Sequence, residues 1–153
     1  MKEIDIKRHA ETIIKAIKEK HCVFVCGNGG SAAQSQHFCA ELVGKYKYNR
    51  RALPAISLFD LASLTAIAND FSFSEVFSRQ LEALGKEGDI LITLSTSGKS
   101  KNILEAIKVA KKARMKTISF PTNQELGFDT PRTQEIHLEM IHKICELVEK
   151  EFI

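Results

Sequence analysis

No run of apolar residues in the 153-residue chain approaches the length needed to cross a bilayer, so no membrane partner is expected. The opening Met1-Lys2-Glu3-Ile4-Asp5 is charged and lacks the apolar core of a signal peptide. Charge of one sign is scarce too. Lys and Arg number 22 against 19 Asp and Glu, a formal +3, and the lysines are scattered, so no nucleic-acid partner is expected. Cys22, Cys26, Cys39 and Cys145 include no Cys-x-x-Cys pair, which favours free thiols in a reducing cytoplasm over disulfides or a thiolate zinc site. Neither a G-x-G-x-x-G fingerprint nor a Walker A loop is present: Gly98-Lys99-Ser100 imitates the end of the latter, but Thr93 stands where its first glycine belongs. There are no short repeats and no low-complexity segments. The length suits one domain over 1–153.

What is there begins with Val23-Phe24-Val25-Cys26, an apolar strand pattern, followed by Gly27-Asn28-Gly29-Gly30-Ser31 and a helical stretch to about Val43. Strand, glycine loop and helix make a phosphate cradle. Gly29 and Gly30 let a ligand approach the backbone, and the first N–H groups of a helix have no internal partner. Ser31 is placed to cap the helix and to offer a hydroxyl. A tight turn without a ligand fits the loop about equally well. Further along, His37 and Glu41 are four apart and share a face, as metal ligands, as an acid/base pair or as a solvated pair.

A second strand–loop–helix unit opens with the third strand, Asp89–Leu94, which runs into Ser95-Thr96-Ser97-Gly98-Lys99-Ser100 and a helix over 101–112. Its hydroxyls and free helix N–H groups suit a phosphate, or simply cap the helix. Between the two loops, Lys45–Arg51 is a basic connection able to lend a cation to an anion. Pro54–Leu58 reads as a strand, 61–68 as a short helix, and 74–84 as a helix. Asp70 is a weak site candidate at an element boundary. Thr117–Phe120 is a fourth strand, 121–131 is broken and polar, and 132–153 is helical. There Gln134 and His142 are eight apart, roughly 80° round the helix, so both can face one site. A first helix over 4–20 completes the pattern. Alternating strands and helices predict an α/β fold, a three-layer parallel sheet with helices on both faces.

The segments GNGGSAAQSQHFCAELVGKY, LPAISL, LTAIANDFSFSEVFSRQLEALG, GDILITLSTSGKSKNILEAI and DTPRTQEIHLEMIHKICELVE, in that order, resemble the phosphoheptose isomerases of the SIS-domain superfamily. The resemblance implies a flavodoxin-like sheet of four or five strands. It implies isomerisation of sedoheptulose 7-phosphate to D-glycero-D-manno-heptose 7-phosphate through an enediol, for bacterial lipopolysaccharide heptose. Glu41 and His142 then stand at the catalytic acid/base positions. His37, Glu41, Gln134 and His142 stand at the positions that bind one zinc. Asn28, Gly29, Gly30, Ser31, Glu41, Asp70, Ser95, Thr96, Ser97, Ser100 and Gln134 stand at substrate or phosphate positions, with Asp129 a less secure match. It also implies a cytoplasmic homotetramer with active sites between subunits. The chain departs from the family before Val23 and between Phe120 and Asp129, where it is short and where the family places a further helix and a fifth strand. A non-catalytic SIS-domain binding protein, of the kind that associates with a replication initiator, is the alternative; it lacks the glutamate and final histidine present here. A third candidate, action on another sugar phosphate, is disfavoured by the DTPRTQEIH stretch.

Overall fold

The computed structural model describes residues 3–153. Strands β1 (Val23–Gly27) and β3 (Ile90–Leu94) are buried at every position, and they pair in parallel at the centre of the sheet. Strands covered on both faces read as unbroken apolar runs, which is why both were plain in the sequence. The shorter β2 (Ala55–Ser57) and β4 (Lys116–Ser119) flank them in the order β2-β1-β3-β4, all parallel. This is the four-stranded form of the expected α/β fold. Residues 120–129 hold a single helical turn and no strand.

Successive side chains of a strand point to opposite faces, so two cores form. Val23, Val25, Ile90 and Ile92 pack against helices α1 (Glu3–Lys18), α2 (Gly30–Val43) and α7 (Thr130–Lys150). Phe24, Cys26 and Leu91 pack on the other side, against α4 (Ser78–Leu84) and α5 (Lys101–Lys112). Each fully buried side chain of this size contributes about 1.5–3 kcal/mol relative to exposure. Helix α3 (Leu61–Asp70) has no fully buried residue, and its partly buried Leu64 and Ile67 pack against this second core. No helix among the described residues is long and apolar enough to cross a membrane.

Three local departures have physical causes. The helix expected from 74 begins at Ser78, after a 3₁₀ turn over Phe73–Glu75. There the Ser72 hydroxyl bonds to Ser74 and Glu75, local pairings that compete with a helix. Helix α2 starts at Gly30 with Gly29 at its cap, so Ser31 lies inside the first turn and does not cap it. The broken segment after β4 holds α6 (Asn123–Leu126), stabilised by a reciprocal capping box between Thr122 and Glu125.

The chain leaves β1 toward β2 on one side and β3 toward β4 on the other. The loops after β1 and β3 therefore meet at the point where the winding reverses. Such a crevice, at the carboxyl ends of the strands, is where ligands bind in open parallel sheets.

Candidate active site

Gly27 closes β1 against β3. A Cβ there would stand 2.8 Å from the Leu94 carbonyl oxygen and from Ser31, so only glycine lets the loop turn this close. Gly29 has φ +56° and ψ −122°, a backbone that side chains resist, and open space lies in front of it. Among the described residues no carbonyl receives the Gly29 or Gly30 N–H, while the N–H groups of Ser31 and Ala32 return to Asn28 and Gly29. The free donors suit an anion.

The second loop complements the first. Ser95 Oγ accepts from Gly98 N–H at 3.0 Å and Ser97 Oγ from Lys99 N–H at 3.1 Å. A hydroxyl that accepts from the backbone keeps its own proton to donate outward, as a phosphate oxygen requires. Ser100 is the N-cap residue of α5, and its side chain makes no cap bond. The Thr96 carbonyl is held by Asn123 N–H at 2.7 Å. The two loops are joined by a pair of reciprocal amide bonds, 2.9 Å each, between Asn28 and the buried Asn102. Asn102 was not singled out in the sequence, where an Asn near a helix start has many roles.

Helices α2 and α7 run side by side on one face and bring three of the expected residues together. Glu41 Oε1 lies 2.8 Å from His37 Nε2 and 3.6 Å from His142 Nε2, and the two histidine nitrogens are 3.1 Å apart. Glu41 is mostly buried, at 15 % side-chain exposure, and the histidines are partly open at 43 % and 37 %. Glu41 Oε2 is buried without a hydrogen-bond partner. Burial, and after it the Glu41 carboxylate, push the neighbouring Cys145 thiol up. Cys39 is pushed up to about 12 and Cys22 to about 11, chiefly by burial, and all four cysteines are free.

The triangle passes a test of fit to a metal. Ligands about 2.0–2.1 Å from a tetrahedral zinc stand about 3.3 Å from one another, close to the edges found here. Two imidazoles and a carboxylate are a usual zinc donor set that leaves a fourth position open.

Gln134 is placed differently. Its side-chain amide packs on Gly30, within 3 Å of where a Cβ would stand, and its backbone carbonyl accepts from the Gln34 side chain at 2.7 Å. Eight residues of helix, about 12 Å of rise, separate it from His142. Asp70 is exposed at the end of α3 and accepts from Asn69. Asp129 caps α7 by accepting from Arg132 N–H. Of the basic loop, Arg50 is buried on Glu149, Lys47 reaches Glu146 and Arg51 lies over Phe152; Lys45 makes no ion pair among the described residues. The Arg50–Glu149 pair was missed as well. Its signal was a glutamate eight residues after Ile141 and four after Cys145, on an otherwise apolar stripe of α7.

The chain is similar to known proteins over nearly all its length. The SIS domain family model matches residues 2–121. A phosphoheptose isomerase of Helicobacter pylori is 45% identical, over 96% of this chain and 84% of the relative. One from Thermodesulfovibrio yellowstonii is 46% identical, over 94% and 79%. Among solved structures, phosphoheptose isomerases from Neisseria gonorrhoeae and Francisella tularensis superpose with TM-scores of 0.86 and 0.88, at 34% and 32% identity, each over 97% of this chain and 86% of the other.

Proposed function

Because this chain belongs to the SIS domain family, and within it to the phosphoheptose isomerases, we propose that it interconverts sedoheptulose 7-phosphate and D-glycero-D-manno-heptose 7-phosphate. The observation that carries the catalytic assignment is the convergence of Glu41, His37 and His142 within 3.6 Å. The enzyme is an aldose–ketose isomerase of carbohydrate metabolism and supplies heptose for lipopolysaccharide.

The reaction moves one proton from C1 to C2 and one from O1 to O2, through an enediol. Glu41 takes the C1 proton as its carboxylate, and His142 exchanges protons with the sugar oxygens and the adjacent carbon. The two groups are close enough to serve neighbouring atoms of one substrate. The phosphate binds at the switch point, on the N–H groups of Gly29 and Gly30 and the hydroxyls of Ser31, Ser95, Thr96, Ser97 and Ser100. Asn28 and Gln134 line the sugar beyond it, and Asp70 holds hydroxyls.

His37, Glu41 and His142 would hold one zinc; when bound, it would polarise the carbonyl and enediolate oxygens, and Glu41 and His142 would have to loosen from it to take up a proton. Gln134 joins them as a fourth ligand only by swinging its amide away from Gly30.

The assembly is a cytoplasmic homotetramer with sites completed between subunits. Four free thiols and the family support the compartment. The half-open triangle and the exposed Leu61, Phe71 and Phe73 support further chains covering this surface. Residues 1–153 form one SIS domain, shortened between about 120 and 130. In support, alignment with the Helicobacter pylori relative spans 161 positions, more than the 153 residues of this chain.

The test is NMR of the purified protein with sedoheptulose 7-phosphate, with added zinc and with chelator. Aldose anomeric signals are expected with zinc. Binding without product under any condition would instead assign the chain to the non-catalytic SIS-domain proteins.

A further inference from the structure

No carboxylate or carbonyl of the described residues receives the second ring nitrogen of His142. Such rings normally donate their second nitrogen to a carboxylate, a carbonyl or water, which sets tautomer and direction. Among the described residues His142 Nδ1 has no hydrogen-bond partner. The Tyr46 ring lies against the imidazole instead, with centroids 5.4 Å apart and planes at 22°.

Tyr46 is itself held without slack. Its N–H donates to Glu149 Oε2 at 2.8 Å, and the next two N–H groups, of Lys47 and Tyr48, donate to Glu149 Oε1 at 2.7 Å each. Glu149 is buried, and so is its partner Arg50, with 3.3 Å between Nη2 and Oε2. Arg50 also donates to the Gly44 carbonyl and, at 2.6 Å, to the carbonyl of Glu41. One buried ion pair therefore fixes both the backbone of Tyr46 and the end of α2 that carries Glu41. The Tyr46 ring packs on the first core, and Lys47 Nζ lies 5.2 Å from its centre.

We propose that Tyr46 is a positioning residue for His142: stacked on the imidazole and anchored through the Glu149–Arg50 pair, it aims Nε2 at Glu41 and the reacting carbons. The inference rests on His142 as the acid/base group. Tyr46 touches the ring and not the phosphate loops, so its loss lowers kcat and leaves KM unchanged. Flat stacking does not need the hydroxyl, so Phe replaces it and Leu, apolar but smaller and not planar, does not.

The experiment compares Tyr46→Phe, Tyr46→Leu and His142→Gln with the parent protein, all loaded with zinc and checked for cooperative urea unfolding. Turnover is measured alongside the NMR shift of the His142 Cε1 proton, assigned by its loss in His142→Gln. Expected are an upfield ring-current shift in the parent and in Tyr46→Phe, its loss in Tyr46→Leu, and a fall in kcat of roughly tenfold to a hundredfold in Tyr46→Leu alone of the two. Normal kcat in Tyr46→Leu with His142→Gln inactive overturns the positioning role and leaves the function standing. A raised KM in Tyr46→Leu makes Tyr46 a substrate contact and also overturns it. Activity in His142→Gln removes the acid/base assignment on which both depend.

Discussion

His137 is fully buried one turn before His142 on α7, edge-on to Phe120, with its Nε2 2.7 Å from the Pro121 carbonyl. A carbonyl only accepts, so Nε2 carries the proton and the buried, unpaired Nδ1 is bare. Protonating Nδ1 would place a charge in the core. Burial accordingly holds the imidazole below its ordinary value of 6.5, against the opposing Pro121 bond. A lowered folded value means that the unfolded chain takes up the proton first. The stability from neutral His137 is fully present above about pH 6.5 and is lost as pH falls through the folded value. In His137→Leu, urea midpoints between pH 7 and 5 should fall less steeply than in the parent. The variant is less stable at pH 7 by about 1–3 kcal/mol, because the Pro121 carbonyl loses its donor. An unchanged slope would place the titration elsewhere, with the half-buried His9, also lowered, as the next group to replace. At this scale the sequence showed the chemistry-bearing types: His37 and Glu41 at helical spacing, and His142 with Gln134 on one side of the last helix, their roles coming through the resemblance. It did not show Asn102 against Asn28, 74 positions away, or Tyr46 against His142, because such pairings are made only by the fold.

At the scale of elements, two strand–loop–helix units are set side by side by the β1–β3 pairing and locked by the Asn28–Asn102 amides. Removing that lock frees one loop from the other without touching α2 or α7 near the triangle. Asn102→Ala should therefore raise KM for the sugar phosphate more than it lowers kcat, with a stability loss of about 1–3 kcal/mol from the amide left unpaired. Steady-state kinetics decides this; an equal loss in kcat at constant KM would show that the lock serves the chemical step. The elements themselves were legible where periodicity was long and apolar, as in β1, β3, α5 and α7. They were blurred where side chains compete with the backbone. Ser72 and Ser74 turned an expected helix into a 3₁₀ turn, and the Thr122–Glu125 box raised one helical turn from a stretch that composition marks as broken.

For the molecule as a whole, the sheet order and both cores follow from apolar strands covered on two sides, and the triangle sits on the outer pair α2 and α7. That placement leaves the histidines half open, and α3 reaches the second core only through the partly buried Leu64 and Ile67. If the proposed homotetramer forms, light scattering returns about four times the chain's mass, and a monomer mass with full activity would show that one chain completes the site. The proposed fourfold assembly comes only through resemblance, since no single-chain pattern encodes what its surface meets. The claim on which the rest depends is that Glu41 removes the C1 proton. The measurement is NMR of sedoheptulose 7-phosphate in D₂O with the parent protein and with Glu41→Gln, following deuterium at C1 of the remaining ketose and at C2 of the aldose. The parent should wash deuterium into both positions, and Glu41→Gln should bind the sugar phosphate yet leave the ketose C1 as protium and form no aldose. Deuterium entering at the parent rate in Glu41→Gln would contradict the account, because another group would then be the base.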